Sequence, residues 1–161
     1  MAVDDPQRSL AAALGRIPSG LFILTVAHAG QETGFLASWV QQCSFKPPRL
    51  SFAVQPDRPI VGLLVPEALL AFNILEASQT DMIAHFGKGF ALGVHAFETI
   101  DVIREEGKPP VLTEAVAVLE GRVANRVSVG DHDLVIVDLH AGRLLTEGQP
   151  MIHVRKNGLH Y

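Results

Sequence analysis

Leu36 to Arg58 reads LASWVQQCSFKPPRLSFAVQPDR, and this stretch decides the fold. It sets small and hydroxyl side chains (Ala37, Ser38, Ser44), an aromatic (Trp39) and a thiol (Cys43) on extended backbone. Pro47-Pro48 breaks the run, Leu50 to Val54 starts a second strand, and the pair Asp57-Arg58 follows it. Small hydroxyl residues let a ligand approach the backbone while offering hydrogen bonds, and an arginine can clamp a phosphate. The combination suits a flat ring with a phosphate tail better than a metal or a peptide.

Working outward, the neighbouring segments repeat the strand-and-turn pattern. Ser9 is placed to cap a short helix over Leu10 to Arg16, which Pro18-Ser19-Gly20 ends. Leu21 to Ala27 is apolar and β-branched, the composition of a buried strand. The polar HAGQETG, residues 28–34, returns the chain into Phe35 to Val40 as a hairpin. After Arg58, Pro59 opens a short helix that reaches Leu64, and Leu69 to Leu75 is another apolar strand. Gln79 to Phe86 reads as a helix with Met82, Ile83 and Phe86 on one face.

Gly87 to Pro110 carries neither period and reads as a long excursion over the surface, punctuated by Gly87, Gly89, Gly93 and Gly107-Lys108-Pro109-Pro110. Val116 to Val129 alternates as a long strand, Gly130-Asp131 turns it, and Leu134 to Leu139 returns. Met151 to Arg155 is a last short strand. The chain is therefore mainly β with short helices, and residues 1–161 are expected to form one antiparallel barrel domain. A parallel βαβ architecture does not fit, because the long crossover helices are missing.

Composition removes several function classes. The net charge is −4, and Arg155-Lys156 is the longest basic cluster, so a nucleic-acid partner is excluded. The chain is 48% apolar and 19% charged, which predicts that a partner subunit or a ligand covers part of its surface. Cys43 is the single cysteine, so an intramolecular disulfide and a thiolate zinc site are both excluded, as suits a reducing cytosol. The amino-terminal MAVDDPQRS lacks the layout of a signal peptide, and no apolar run nears the roughly 20 residues that span a bilayer. The expected location is cytoplasmic, with no membrane partner.

The motifs taken singly are weak. GKGFALG, residues 87–93, has the spacing GxGxxxG and follows a helix, where a dinucleotide fingerprint needs GxGxxG after a strand. The seven histidines show no HExxH and no cluster at ligand spacing, so no metal site is expected. No Gly-x-Ser-x-Gly elbow supports a hydrolase. His132 stands apart, because it lies at the tip of the longest hairpin in Gly130-Asp131-His132-Asp133, where turns project side chains towards a site. Cys43 reads as a small buried hydrophobe, and Trp39 as either a stacking platform or core. Ser38 and Ser44 share a face if their strand is continuous.

Taken in order, the segments resemble the flavin reductase-like, FMN-binding split-barrel family. The likeness is carried by Ile17-Pro18-Ser19-Gly20-Leu21 with Thr25, Ala37-Ser38-Trp39-Val40 and Cys43-Ser44-Phe45-Lys46-Pro47-Pro48. Phe72-Asn73-Ile74-Leu75, His85-Phe86 and Gly130-Asp131-His132 continue it. Within that family the sequence is most similar to the C-terminal flavin reductase domain of cyanobacterial flavodiiron (diflavin) proteins, through LGRIPSGLFILT, LASWVQQCSFKPP, VANRVSVGDH and HVRKNGLHY.

The resemblance implies an antiparallel split barrel holding FMN at a homodimer interface, with NADH or NADPH as electron donor and free flavin or a redox partner protein as acceptor. It places Leu36, Ala37, Ser38 and Trp39 beside the isoalloxazine and ribityl chain, Cys43 and Ser44 near the ribityl and phosphate, and Asp57 and Arg58 near the phosphate. Phe86 joins the implied cofactor set, and His132 is the implied catalytic residue at the nicotinamide position. A non-enzymatic FMN-binding module is the alternative. The chain carries no His-x-[His/Glu]-x-Asp iron motif and has Asp133 where the subgroup is expected to carry an aromatic, which opens the choice between NADH and NADPH. Its 161 residues are expected to be a free-standing relative or an excised domain.

Overall fold

The computed structural model describes residues 5–160. Helix α1 (Pro6–Gly15) is followed by strands β1 (Ser19–Gly20), β2 (Phe22–His28), β3 (Gln31–Ala37), β4 (Val40–Phe45) and β5 (Pro48–Val54). A 3-10 helix (Pro59–Leu63), β6 (Leu69–Ile74) and helix α2 (Thr80–Phe86) come next. Then come β7 (Val102–Ile103), β8 (Val111–Leu112), β9 (Ala117–Ser128), β10 (Asp133–Leu144) and β11 (Ile152–His153). The elements foreseen in the sequence are present with shifted ends, and the short strands β1, β7 and β8 come in addition to them. Helix α1 starts before Ser9, because the Asp5 carboxylate accepts the Gln7 N–H at 3.0 Å and Pro6 fits the first turn.

Seven strands form one antiparallel sheet in the order β3-β2-β6-β9-β10-β5-β4. The edge strands β3 and β4 are consecutive in sequence and joined only by Ser38 and Trp39. Three Cα steps span at most about 11 Å, so the two sheet edges must come together, and the sheet curls into a barrel. The Ala53 N–H donates to the Trp39 carbonyl at 3.1 Å, carrying the β4–β5 ladder one residue into this linker. The fold is thus the expected antiparallel split barrel. The strand foreseen over Phe35 to Val40 ends instead at Ala37, so Ser38 lies in the linker and Ser44 on β4, and the two share no continuous face.

Strand β2 shows no polar–apolar alternation because both of its faces are covered. Leu24 and Val26 point into the barrel core with Phe35, Phe52 and Phe72. Ile23 points the other way, into a second core with Leu75, Met82, Phe86, Phe97 and Leu112. The excursion foreseen over Gly87 to Pro110 does leave the sheet, yet its middle packs on the outside of the barrel and buries Ala96 and Phe97. Two buried polar side chains fasten the chain where it returns at Pro110 and Leu112. The Thr25 hydroxyl donates to the Pro110 carbonyl at 2.6 Å. The fully buried Asn73 donates to the Ile23 carbonyl at 2.9 Å and accepts the Leu112 N–H at 2.8 Å.

The C-terminal segment is fixed just as firmly. Strand β11 pairs with β1, and the Gly158 N–H donates to the Ala11 carbonyl at 2.7 Å. A Cβ on Gly15 would stand 2.7 Å from the Arg155 carbonyl oxygen, and one on Gly158 would overlap Leu14. Two glycines therefore let the tail lie flat on α1. Among the described residues no helix is long and apolar enough to cross a membrane.

Candidate functional site

The junction that closes the barrel also opens a cleft of about 230 Å3. Its walls come from the end of β3 (Leu36, Ala37), the linker (Ser38, Trp39), the end of β5 and the turn after it (Ala53, Gln55, Arg58), helix α2 (Ile83) and the C-terminal segment (His153, Arg155). Ala37 and Ala53 keep the wall small, while Ser38, Gln55 and the two arginines supply the polar groups. This is the mixture of apolar wall and a few convergent donors found in small-molecule sites.

Arg58 is half-buried and held in place by one N–H, which donates to the Lys88 carbonyl at 3.1 Å. Gly89 lies beside it, and a Cβ there would come within 3.5 Å of the guanidinium. Arg155 sits with its guanidinium carbon 4.9 Å from the centroid of the Trp39 ring. His153 and Arg155 line the cleft while Ile152 and Val154 are exposed, the two-residue alternation of extended chain.

Of the residues singled out in the sequence, Leu36, Ala37, Ser38, Trp39 and Arg58 line this one cleft. The others do not. Asp57 is exposed in the turn beside Arg58. Cys43 is exposed rather than buried, because a register shift between Gln42 and Ser44 bulges edge strand β4 at this point. Ser44 stands opposite Arg49 on the ladder between β4 and β5, away from the cleft lining. Phe86 is fully buried in the second core, 5.8 Å from both Phe90 and Phe97, so in this chain it supports the wall from behind.

His132 reaches the cleft only through another side chain. It is 6% exposed, and its ring lies 4.9 Å from that of Trp39. Its Nδ1 is 2.8 Å from Asp131 Oδ1, with the carboxylate accepting. The hydrogen bond and the charge of His132 hold the Asp131 carboxyl below its ordinary range. A lowered carboxyl pKa adds stability above the ordinary carboxylate range, and this is lost as the pH falls through the lowered value. The hairpin tip should therefore loosen only in acid. Trp39, the only tryptophan in the chain, thus touches both His132 and Arg155.

Sequence reading passed over His153, Arg155, Gln55 and Ile83. The signal for the first two was present, since the spacing of His153 and Arg155 in a short terminal strand puts both on one face. Gln55 and Ile83 carry no motif, and only the barrel closure brings them to the cleft. Among the described residues no three of His, Cys, Asp and Glu gather into a metal-holding group.

The chain belongs to the flavin reductase like domain family, which matches residues 14–158. Among individual proteins it is 37% identical over 151 residues to Diflavin flavoprotein A 1 of Synechocystis sp., an overlap of 92% of this chain and 26% of that protein. The chain spans about a quarter of the length of the curated relatives it matches. In structure it is similar to the NADH:FAD oxidoreductase SgcE6 of Streptomyces globisporus C-1027, with a TM-score of 0.81 and 26% identity over 96% of this chain and 93% of that one. SgcE6 has also been solved in complex with NAD and FAD fragments. The flavin reductase PheA2 shares the fold at a TM-score of 0.77 and 22% identity, covering 93% of this chain and 94% of that one.

Proposed function

We propose that this chain binds FMN in the Ser38–Arg58 cleft and acts as an NAD(P)H-dependent flavin oxidoreductase, passing electrons to free flavin or a partner protein. The observation that carries the reading is the cleft itself, where a hydroxyl, a side-chain amide and a half-buried arginine converge beside apolar walls. Those residues fit the group: Leu36 and Ile83 offer apolar contact to a ring, Ser38 and Gln55 offer hydrogen bonds to a polyol, and Arg58 offers a forked donor to a phosphate. A flavin, once held, supplies acceptance of a hydride from reduced nicotinamide and onward delivery of the electrons. The protein's share is binding, orientation and exclusion of water, which asks for no acid–base pair in the cleft.

One chain provides only about 230 Å3 of cleft, below the roughly 300–1,000 Å3 of typical ligand sites. A second copy would complete it. Exposed Ile152 and Val154, which alternate with the cleft-lining His153 and Arg155, leave apolar side chains for that copy at the rim. FMN rather than FAD is the cofactor in this reading, although the SgcE6 relative is named for FAD. Comparing the two flavins by quenching of Trp39 emission tests the choice, and a tighter fit of FAD would reverse it.

Ser38→Ala is expected to weaken FMN binding by about 0.5–1.5 kcal/mol, the usual worth of one neutral hydrogen bond. Ser44→Ala should leave it within two-fold, and the opposite ranking in a flavin titration would return the hydroxyl role to Ser44. His132 acts in this reading as a positioning residue behind Trp39. His132→Ala should shift Trp39 emission and slow flavin bleaching by about 10- to 100-fold while FMN stays bound, since small misplacements in a reacting pair cost that much. An unchanged stopped-flow bleaching rate would remove His132 from the mechanism.

A further inference from the structure

The chain has nine arginines, and five of them meet carboxylates: Arg49 with Asp138, Arg104 with Glu32, Arg122 with Glu67, Arg126 with Asp133 and Arg143 with Glu120. Arg8 and Arg16 are exposed at helix α1, where water satisfies them. Arg58 and Arg155 are different, because both are half-buried, and among the described residues neither has a carboxylate within ion-pair distance. Both line the same cleft. In a protein of net charge −4, two half-buried guanidinium groups facing one cavity without an acid call for anions from outside the chain.

The two are held differently. Arg58 is pinned to backbone, through the Lys88 carbonyl, beside the glycine loop that follows α2. Arg155 belongs to the clasped C-terminal segment and rests on Trp39, which is 36% exposed at the rim. A contact with an aromatic face holds the charge without a carboxylate and leaves donors for a ligand.

Resting on the flavin reading above, we propose that the cleft is a two-anion site in which Arg58 takes the phosphate of the resident flavin and Arg155 takes a phosphate of the exchanging dinucleotide. Arg155 is then the residue that sets affinity for the electron donor. The rim position suits a ligand that must come and go, and the backbone-pinned position suits one that stays. Sequence alone gave no reason to assign Arg155 such a role, since it appeared only as half of a two-residue basic cluster.

The test uses Arg155→Met, Arg155→Lys and Arg58→Met in the full chain. FMN binding is followed by Trp39 quenching, and ADP and 2′-phospho-AMP are titrated calorimetrically into the flavin-free and the FMN-loaded protein. Arg155→Met should weaken NADH and ADP binding about ten-fold or more while the FMN Kd stays within two-fold, and Arg155→Lys should regain part of the loss. Arg58→Met should do the reverse. A loss confined to NADPH and 2′-phospho-AMP would assign the anion to the ribose phosphate, and a loss shared with ADP would assign it to the diphosphate. Wild-type affinity for all these nucleotides in Arg155→Met, or loss of FMN in its place, would overturn the proposal. A wild-type chain that binds no flavin would end the flavin reading, and the ADP titration would still decide Arg155: binding lost in Arg155→Met keeps its phosphate role, and no wild-type binding ends it.

Discussion

An Arg58→Met variant is expected to bind FMN about 10- to 150-fold more weakly than the wild type. The estimate follows from losing a hydrogen-bonded charge contact worth about 1.5–3 kcal/mol, with each 1.4 kcal/mol a factor of ten. The effect should be large because Arg58 is already held in place before the ligand arrives. Its one N–H to the Lys88 carbonyl fixes the guanidinium, so little side-chain freedom is left to lose on binding. The fold should tolerate the change, since Arg58 ties only a turn to a surface loop. Trp39 quenching gives the flavin Kd, and thermal unfolding checks the fold. An unchanged Kd with an intact fold would put the phosphate elsewhere.

Asn73→Leu is expected to destabilise the protein by about 2–4 kcal/mol. Asn73 is fully buried and serves two partners at once, the Ile23 carbonyl on β2 and the Leu112 N–H on β8. Leucine keeps the branched side-chain skeleton but leaves a buried amide without an acceptor, which costs about 1–3 kcal/mol, and it removes a second hydrogen bond worth about 1 kcal/mol. The loss should be local before it is global. Residues 111–115 should exchange their amide hydrogens faster, because Asn73 and Thr25 help to fasten this segment to the barrel. A urea midpoint within error of wild type would show that the contact is dispensable.

Much of the barrel was legible in the sequence because strands and turns are local. The hairpin Val116 to Leu139 declared itself through alternation and a Gly-Asp turn, and the structure extends its second strand to Leu144. The two-faced burial of β2 was legible as an unbroken apolar run. What lay on its far side was not, because the covering segment Gly87 to Pro110 has no period and packs through a few dispersed residues such as Ala96 and Phe97.

The candidate site divides the same way. Leu36 to Trp39 and Arg58 were found because they flank one continuous stretch of chain. Ser44 and Cys43 were drawn in by the same proximity, but a two-residue break and a bulge turn them away from the cleft. Arg155 lies almost one hundred residues further on and arrives only through the pairing of β11 with β1 and the clasp on α1. Register between distant strands is a tertiary property that a single sequence does not display.

The most direct measurement is the visible spectrum of the purified chain loaded with FMN, taken without oxygen as NADH and then, in a second sample, NADPH is added. Bound-flavin bands that form and bleach with at least one nucleotide are the expected result, and the more effective nucleotide is the donor. Bands that persist with both nucleotides would contradict the reductase reading and leave an FMN-binding module.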